Sequence, residues 1–217
     1  MTLEALTAEL HKVLPDAALV PSRLPGLPEL ELWLLDPSNL DRAFATDETR
    51  RLLEHPPYWG FCWGSGLALA RWVLDNPEQV RGKRVLDFGA GSGVVALACR
   101  MAGAEQAIAC DLDRPAPLAC ALNARLNDMQ IVLSNDYFAV EGEIDLLIAA
   151  DVLYDVDNRP LLDHFAERAD KVLIADSRVR NLSHPRYRRS AILPGRTWPD
   201  LGEPLEFRDV SLYQLNP

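Results

Sequence analysis

The run Asp87-Phe88-Gly89-Ala90-Gly91-Ser92-Gly93 carries the most concentrated chemical signal in the chain. Glycine at alternate positions frees the main chain for tight turns and lets a ligand approach backbone N–H groups closely. The apolar pair Val85-Leu86 precedes the run, and Val94 to Met101 has helical patterning, so the glycines fall where a strand turns into a helix. Asp111 closes the next apolar segment, Ala107-Ile108-Ala109-Cys110, about twenty residues on. A carboxylate there can accept from both hydroxyls of a ribose. A plain structural turn is the alternative, and it leaves the position of Asp111 unexplained.

Two cofactor classes fit such a loop. Gly91-Ser92-Gly93-Val94-Val95-Ala96 matches the G-x-G-x-x-A dinucleotide fingerprint, which keeps a nicotinamide-dependent oxidoreductase as one reading. Asp87 opposes it, because a carboxylate at the mouth of the loop would face two phosphates and repel them. S-adenosylmethionine carries an ammonium and a sulfonium and no phosphate, so an acidic loop residue complements it directly or through water. D-x-G-x-G-x-G is therefore the better match. By position, Asp87, Gly89 and Gly91 are expected to line the methionine end, with Gly93 opening the helix. Asp111 is expected to hold the ribose and Leu112 to flank the adenine. Asp136, just beyond the third strand, is placed to accept from the adenine amino group.

The elements that must position these residues alternate strand and helix from Arg84 onward. Apolar runs at 131–133, 145–150 and 171–175 read as further strands, and Pro115 to Leu126 and Leu161 to Ala169 as helices. That alternation predicts a doubly wound parallel sheet. Residues 205–215 read as a late strand, antiparallel at the sheet edge. Upstream, Leu3, Leu6, Leu10, Val13 and Leu14 have helical spacing. A Pro-rich stretch (Pro15, Pro21, Pro25, Pro28) is expected to break regular structure, and residues 29–34 alternate like a strand. A helix starting near Asn39 or Asp41 should end before His55, and Leu67 to Leu74 forms another. This divides the chain into an N-terminal extension, 1–56, and a cofactor domain, 57–217.

Bulk properties narrow the classes. With 217 residues, 48% hydrophobic and 25% charged, the chain can bury a substantial core. Its net charge of −10 opposes phosphate-backbone binding, so no nucleic-acid partner is expected. The local exception is Arg178, Arg180, Arg186, Arg188 and Arg189, read as a solvated surface loop or, more sharply, as a rim that meets an acidic partner. No apolar run reaches membrane-span length, and residues 1–14 lack the pattern of a secretory or mitochondrial leader. Cys62, Cys99, Cys110 and Cys120 form no C-x-x-C pair and read as buried free thiols. His11, His55, His164 and His184 have no ligand spacing, so no metal is expected. A cytoplasmic monomer is the expectation.

The likeness to a known family extends beyond the loop. Residues 57–66 (PYWGFCWGSG), Leu74-Asp75-Asn76-Pro77, 81–87 (RGKRVLD), Met101-Ala102-Gly103-Ala104, Leu122-Asn123 and Asp151-Val152-Leu153-Tyr154-Asp155 resemble the seven-strand protein-lysine methyltransferases of methyltransferase family 16. Within that family the likeness is greatest to members acting on the beta subunit of an electron transfer flavoprotein, and it covers the chain from about Glu29. Two segments differ: the loop has Gly-Ala-Gly-Ser-Gly in place of a small-residue-plus-Cys variant, and Asp176-Ser177-Arg178 stands where a Pro-Gly turn is usual.

The resemblance implies a class I methyltransferase Rossmann-like fold, with a mostly parallel seven-stranded sheet, helices on both faces and an antiparallel late strand. It implies S-adenosylmethionine as cofactor and a protein lysine as acceptor. Trp63 would pack beside the cofactor, where residue type alone suggests a core aromatic. Asp151 would touch the cofactor and orient the amine, and Tyr154 would shape the methyl channel. A helix cap or strand-end hydrogen bond is the alternative for Asp151, and helix-start roles are expected for Asp155 and Asp157. A small nitrogen compound such as nicotinamide is the second candidate acceptor, and a cofactor-binding protein without catalysis is a further alternative.

Overall fold

Helix α1 (Leu3–Val13) is capped by Thr2, whose hydroxyl accepts from Ala5 N–H at 3.3 Å, and it buries Leu6, Leu10 and Val13. The structure, a computed structural model, describes residues 1–40 and 42–216, without the side chain of Asn39. Strands β1 (Leu19–Leu24) and β2 (Leu27–Leu35) then form an antiparallel hairpin around Pro25-Gly26. The proline-rich stretch thus contains a strand, with Pro21 opposite Trp33. A two-stranded sheet has only edges, and there a residue without an N–H donor is tolerated.

The helix expected from Asn39 or Asp41 starts later. Asn39 ends a short 3-10 turn, Asp41 lies outside the described residues, and α2 runs from Thr46 to Glu54. Glu48 fixes that start: its carboxylate accepts from Ala45 N–H and pairs with Arg42, which holds its pKa down at about 2. Helix α3 (Gly64–Asp75) follows and leads to the main sheet.

That sheet comprises β3 (Arg84–Phe88), β4 (Gln106–Cys110), β5 (Val132–Ser134), β6 (Ile144–Ala150), β7 (Ala169–Asp176), β8 (Tyr187–Pro194) and β9 (Asp209–Leu215). Helices α4 (Val94–Met101), α5 (Pro115–Leu126) and α6 (Leu161–Arg168) connect the parallel strands. The order is β5-β4-β3-β6-β7-β9-β8, with β9 antiparallel to both neighbours. The expected seven-stranded, mostly parallel sheet is present. Two details differ: residues 205–208 form a 3-10 turn, and β9 lies inside the sheet while the arginine-bearing β8 takes the edge.

One apolar cluster lies under α3, α4 and the hairpin, and a second under α6 on the opposite face. Leu24, Leu27, Leu30, Leu32 and Leu34 belong to the first cluster, so the N-terminal hairpin shares its core with the sheet. Asn123, fully buried on α5, accepts from Trp33 N–H at 2.7 Å and donates to the Ser92 carbonyl at 2.8 Å. The hairpin is thereby tied to the glycine loop. Strand order reverses between β3 and β6, and in open α/β sheets the crevice at such a reversal holds the ligand.

Candidate active site

A cavity of about 490 Å³ opens at that reversal, within the size range of small-ligand sites. Gly89, Gly91, Asp111, Leu112, Trp63, Asp151 and Tyr154 all line it. The loop is held by β4, since the Cys110 carbonyl accepts from Gly89 N–H at 2.9 Å and Ala90 N–H at 3.1 Å. Asp111 Oδ2 accepts from Gly91 N–H at 2.8 Å and Oδ1 from Asp113 N–H at 2.9 Å. Each carboxylate oxygen has a second lone pair for a ligand hydroxyl. Burial raises the Asp111 pKa against those two bonds.

The two loop glycines differ in kind. A Cβ on Gly89, at φ +70°, would sit 2.6 Å from Val152 Cγ1, so glycine is required by close packing of the β3 and β6 loops. A Cβ on Gly91, at φ +51°, would meet nothing within 4 Å. That open space, beside a carboxylate suited to a ribose, is a cradle that fits S-adenosylmethionine.

Three expected cofactor residues are placed elsewhere. Asp87 does not line the cavity. Side chains alternate along β3, so Asp87 shares the face of Val85 beneath α4 while Leu86 and Phe88 face the other core. Its Oδ2 accepts from Ala96 N–H at 3.0 Å, satisfying an otherwise unpaired donor in the first turn of α4. With 2% of its surface exposed, desolvation pushes its pKa up to about 8. Gly93 opens α4 as expected, at φ +81°, but stands off the cavity, and a Cβ there would lie 3.0 Å from Cys120 Sγ, where α4 and α5 pack. Asp136 is exposed, does not line the cavity, and accepts from Phe138 N–H at 2.8 Å in a local turn.

Asp151 is both cavity wall and bracket. It adopts φ +51° at the end of β6. Ser65 donates its hydroxyl to Oδ1 at 2.5 Å and its N–H to Oδ2 at 3.0 Å. Ser177 donates its hydroxyl at 2.8 Å and its N–H at 3.2 Å to Oδ1. The carboxylate thus caps the start of α3 from a distance and fastens it to the end of β7. Asp155 accepts from Asp157 N–H at 2.9 Å, the expected turn-start role, and also lines the cavity.

Tyr154 is half-exposed at the mouth, edge-on to Tyr58 with ring centroids 6.0 Å apart. Burial of its inner half and the neighbouring Tyr58 push its pKa up to about 12, so the hydroxyl stays protonated at neutral pH. Trp63 Nε1 donates to the Tyr58 carbonyl at 2.9 Å, and the two rings meet edge to face at 5.7 Å. Sequence reasoning gave no site role to Tyr58, Ser65, Tyr137, Asn158 or Ser177, and it read Arg178 only as part of a basic loop or rim. Tyr58 and Ser65 stand inside the family-like PYWGFCWGSG run, which was their signal. Ser177 and Arg178 stand in the segment that departs from the family pattern. There Asp176 accepts from Leu153, Arg178 and Val179 N–H groups, Ser177 holds Asp151, and Arg178 reaches the cavity.

Among the described residues no helix is long and apolar enough to cross a membrane, and no cluster of metal-ligating side chains occurs. All four cysteines are buried and free.

Residues 68–177 match the family model described as ribosomal protein L11 methyltransferase (PrmA). The chain is 36% identical over 157 residues to the electron transfer flavoprotein beta subunit lysine methyltransferase of Mus musculus, covering 69% of this chain and 60% of that one. Identity to the protein of the same name from Xenopus laevis is 37% over 171 residues, covering 74% and 68%. The crystal structure of ribosomal protein L11 methylase from Lactobacillus delbrueckii subsp. bulgaricus aligns with a TM-score of 0.52 and 23% identity, over 70% of this chain and 79% of that one, a likeness of fold. The chain spans about three fifths of the length of the mouse relative.

Proposed function

The chain belongs to the protein methyltransferase family of the electron transfer flavoprotein beta subunit lysine methyltransferases and ribosomal protein L11 methyltransferases, and from that membership we propose that it transfers a methyl group from S-adenosylmethionine to a protein lysine. The beta subunit of an electron transfer flavoprotein is the leading acceptor. The observation that carries the reading is one cavity in which the loop glycines and Asp111 stand together with Asp151 and Tyr154.

Bound S-adenosylmethionine supplies a methyl group activated by a sulfonium. Asp111 would hold the ribose, Leu112 would flank the adenine, and Gly89 and Gly91 would let the methionine end lie against the main chain. Asp87 would act through the start of α4. Trp63, Tyr58 and Tyr154 form an aromatic wall that would displace water from a lysine side chain laid against it. Methyl transfer is an in-line displacement, so position and electrostatics carry most of the catalysis. A lysine amine must lose its proton from a pKa of about 10.4, and desolvation by this wall favours the neutral amine. The Tyr154 hydroxyl, protonated at neutral pH, orients the amine without taking its proton. Asp151 keeps α3 and β7 in register around the channel and itself lines the cavity.

In this reading residues 1–56 form a supporting layer on a catalytic domain of residues 57–217. The enzyme works as a cytoplasmic monomer on a protein and not on nucleic acid. Four free buried thiols support a reducing compartment, and a net charge of −10 supports a protein acceptor over nucleic acid. The test is transfer of isotope-labelled methyl from S-adenosylmethionine into purified electron transfer flavoprotein, followed by hydrolysis and amino-acid analysis. Labelled methyl-lysine in the beta subunit is expected. Label only in nicotinamide-like small molecules would overturn the protein-acceptor reading.

A further inference from the structure

We propose that Arg178 selects the acceptor, its guanidinium pairing with the carboxylate of an Asp or Glu beside the methylated lysine on the substrate protein. This rests on the lysine-methylation reading above.

Arg178 is the single cationic side chain among the described residues lining the cavity, where the other ionisable lining groups include Asp111, Asp113, Asp151 and Asp155. An acceptor offering only positive charge would gain from those carboxylates and lose at Arg178. An acceptor with a lysine and an adjacent carboxylate satisfies both. The root of Arg178 is fixed relative to the reaction end of the cavity: its N–H donates to Asp176 Oδ1 at 2.9 Å, and the preceding Ser177 holds Asp151. Its head is oriented as well, with the guanidinium carbon 4.4 Å from the centroid of the Phe207 ring. Stacking of this kind restricts the side chain before binding and leaves the donor fork free for a planar carboxylate.

Charge around it is unbalanced. Among the described residues no carboxylate lies within ion-pair distance of Arg178, Arg180 or Arg189. Arg180 donates to the Glu206 carbonyl and Arg189 to the Arg180 carbonyl, so the charges of these two cations are uncompensated by ion pairs. Of the three, Arg178 alone lines the cavity, so it is the one placed to meet a carboxylate of the acceptor.

The test uses the full chain, labelled S-adenosylmethionine, and synthetic peptides with one lysine and either Glu or Gln at the neighbouring positions. The wild type is expected to favour the Glu peptides by about tenfold in kcat/KM, chiefly through KM, the scale of one charge-assisted hydrogen bond. Arg178→Gln should bring the ratio near one, Arg178→Lys should keep part of it, and Arg178→Glu should reverse it. Thermal midpoint and affinity for S-adenosylhomocysteine should be unchanged in Arg178→Gln. Lysine methylation without a Glu preference, or a preference that survives Arg178→Gln, overturns the proposal and leaves the lysine reading standing. Weakened S-adenosylhomocysteine binding in Arg178→Gln also overturns it, by assigning the guanidinium to the cofactor. No methyl-lysine in any peptide or in the flavoprotein overturns the lysine reading, and the proposal with it.

Discussion

The Ser65 hydroxyl donates to Asp151 Oδ1 at 2.5 Å, joining two residues 86 positions apart in the chain. Removing that carboxylate has a structural and a chemical consequence, and two substitutions separate them. Asp151→Ala leaves the Ser65 and Ser177 N–H donors without their partner. It should lower unfolding free energy by roughly 2–4 kcal/mol, read by urea denaturation. Asp151→Asn keeps an acceptor and suits the left-handed backbone. It should fold and bind S-adenosylhomocysteine, yet slow methyl transfer by roughly a hundredfold. A wild-type rate in the Asn variant would remove Asp151 from the catalytic assignment.

Gly89 and Gly91 should respond differently to alanine. At Gly89 the new methyl meets Val152 in addition to an unfavourable φ, so destabilisation of about 3 kcal/mol or more is expected. At Gly91 only the backbone penalty applies, about 1–2 kcal/mol, but the methyl enters open space in the cradle. Calorimetric titration should therefore find weaker S-adenosylhomocysteine binding in Gly91→Ala, with a smaller fall in thermal midpoint than in Gly89→Ala.

Asp87 makes stability depend on pH. Its folded pKa of about 8 exceeds the unfolded value near 3.9, so the folded state holds a proton that the unfolded chain has lost. Its contribution is therefore fully present below about pH 4 and is lost as pH rises towards about 8, at about 1.4 kcal/mol per pH unit. Asp87→Asn still accepts from Ala96 and removes the titration. Thermal midpoints measured from pH 5 to 8.5 should fall less steeply in the variant than in the wild type. Parallel curves would show that Asp87 does not titrate as its burial implies.

Asn123 tests the tie between the N-terminal hairpin and the glycine loop. Asn123→Leu retains bulk but strands the Trp33 N–H and the Ser92 carbonyl. A loss of about 2–4 kcal/mol is expected, with weaker cofactor binding because Ser92 belongs to the loop.

The parallel core was legible because strands covered on both faces read as unbroken apolar runs, as in β6 and β7. Strand β1 was hidden by Pro21, which a hairpin edge accommodates and a central strand would not. Strand β8 was hidden by Arg188 and Arg189, whose charges suit an edge but erase alternation. In the site, the glycine loop and Asp111 were readable from local order. The turning of Asp87 towards α4 follows from strand alternation, though its motif position points to the ligand. Ser65 and Ser177 could not be paired with Asp151 from spacing, since long-range folding alone brings them to one carboxylate.

The position of β9 between β7 and β8 has a consequence for the growing chain. During synthesis β8 leaves the ribosome before β9, its only sheet partner among the described residues. For that interval β8 is a nascent strand with open hydrogen-bonding edges, carrying Ile192 and Leu193, and such edges invite pairing between chains. Arg188 and Arg189 then act as gatekeepers through mutual repulsion between neighbouring nascent chains. The charges that mark the sheet edge of the folded protein thus protect the unfinished one.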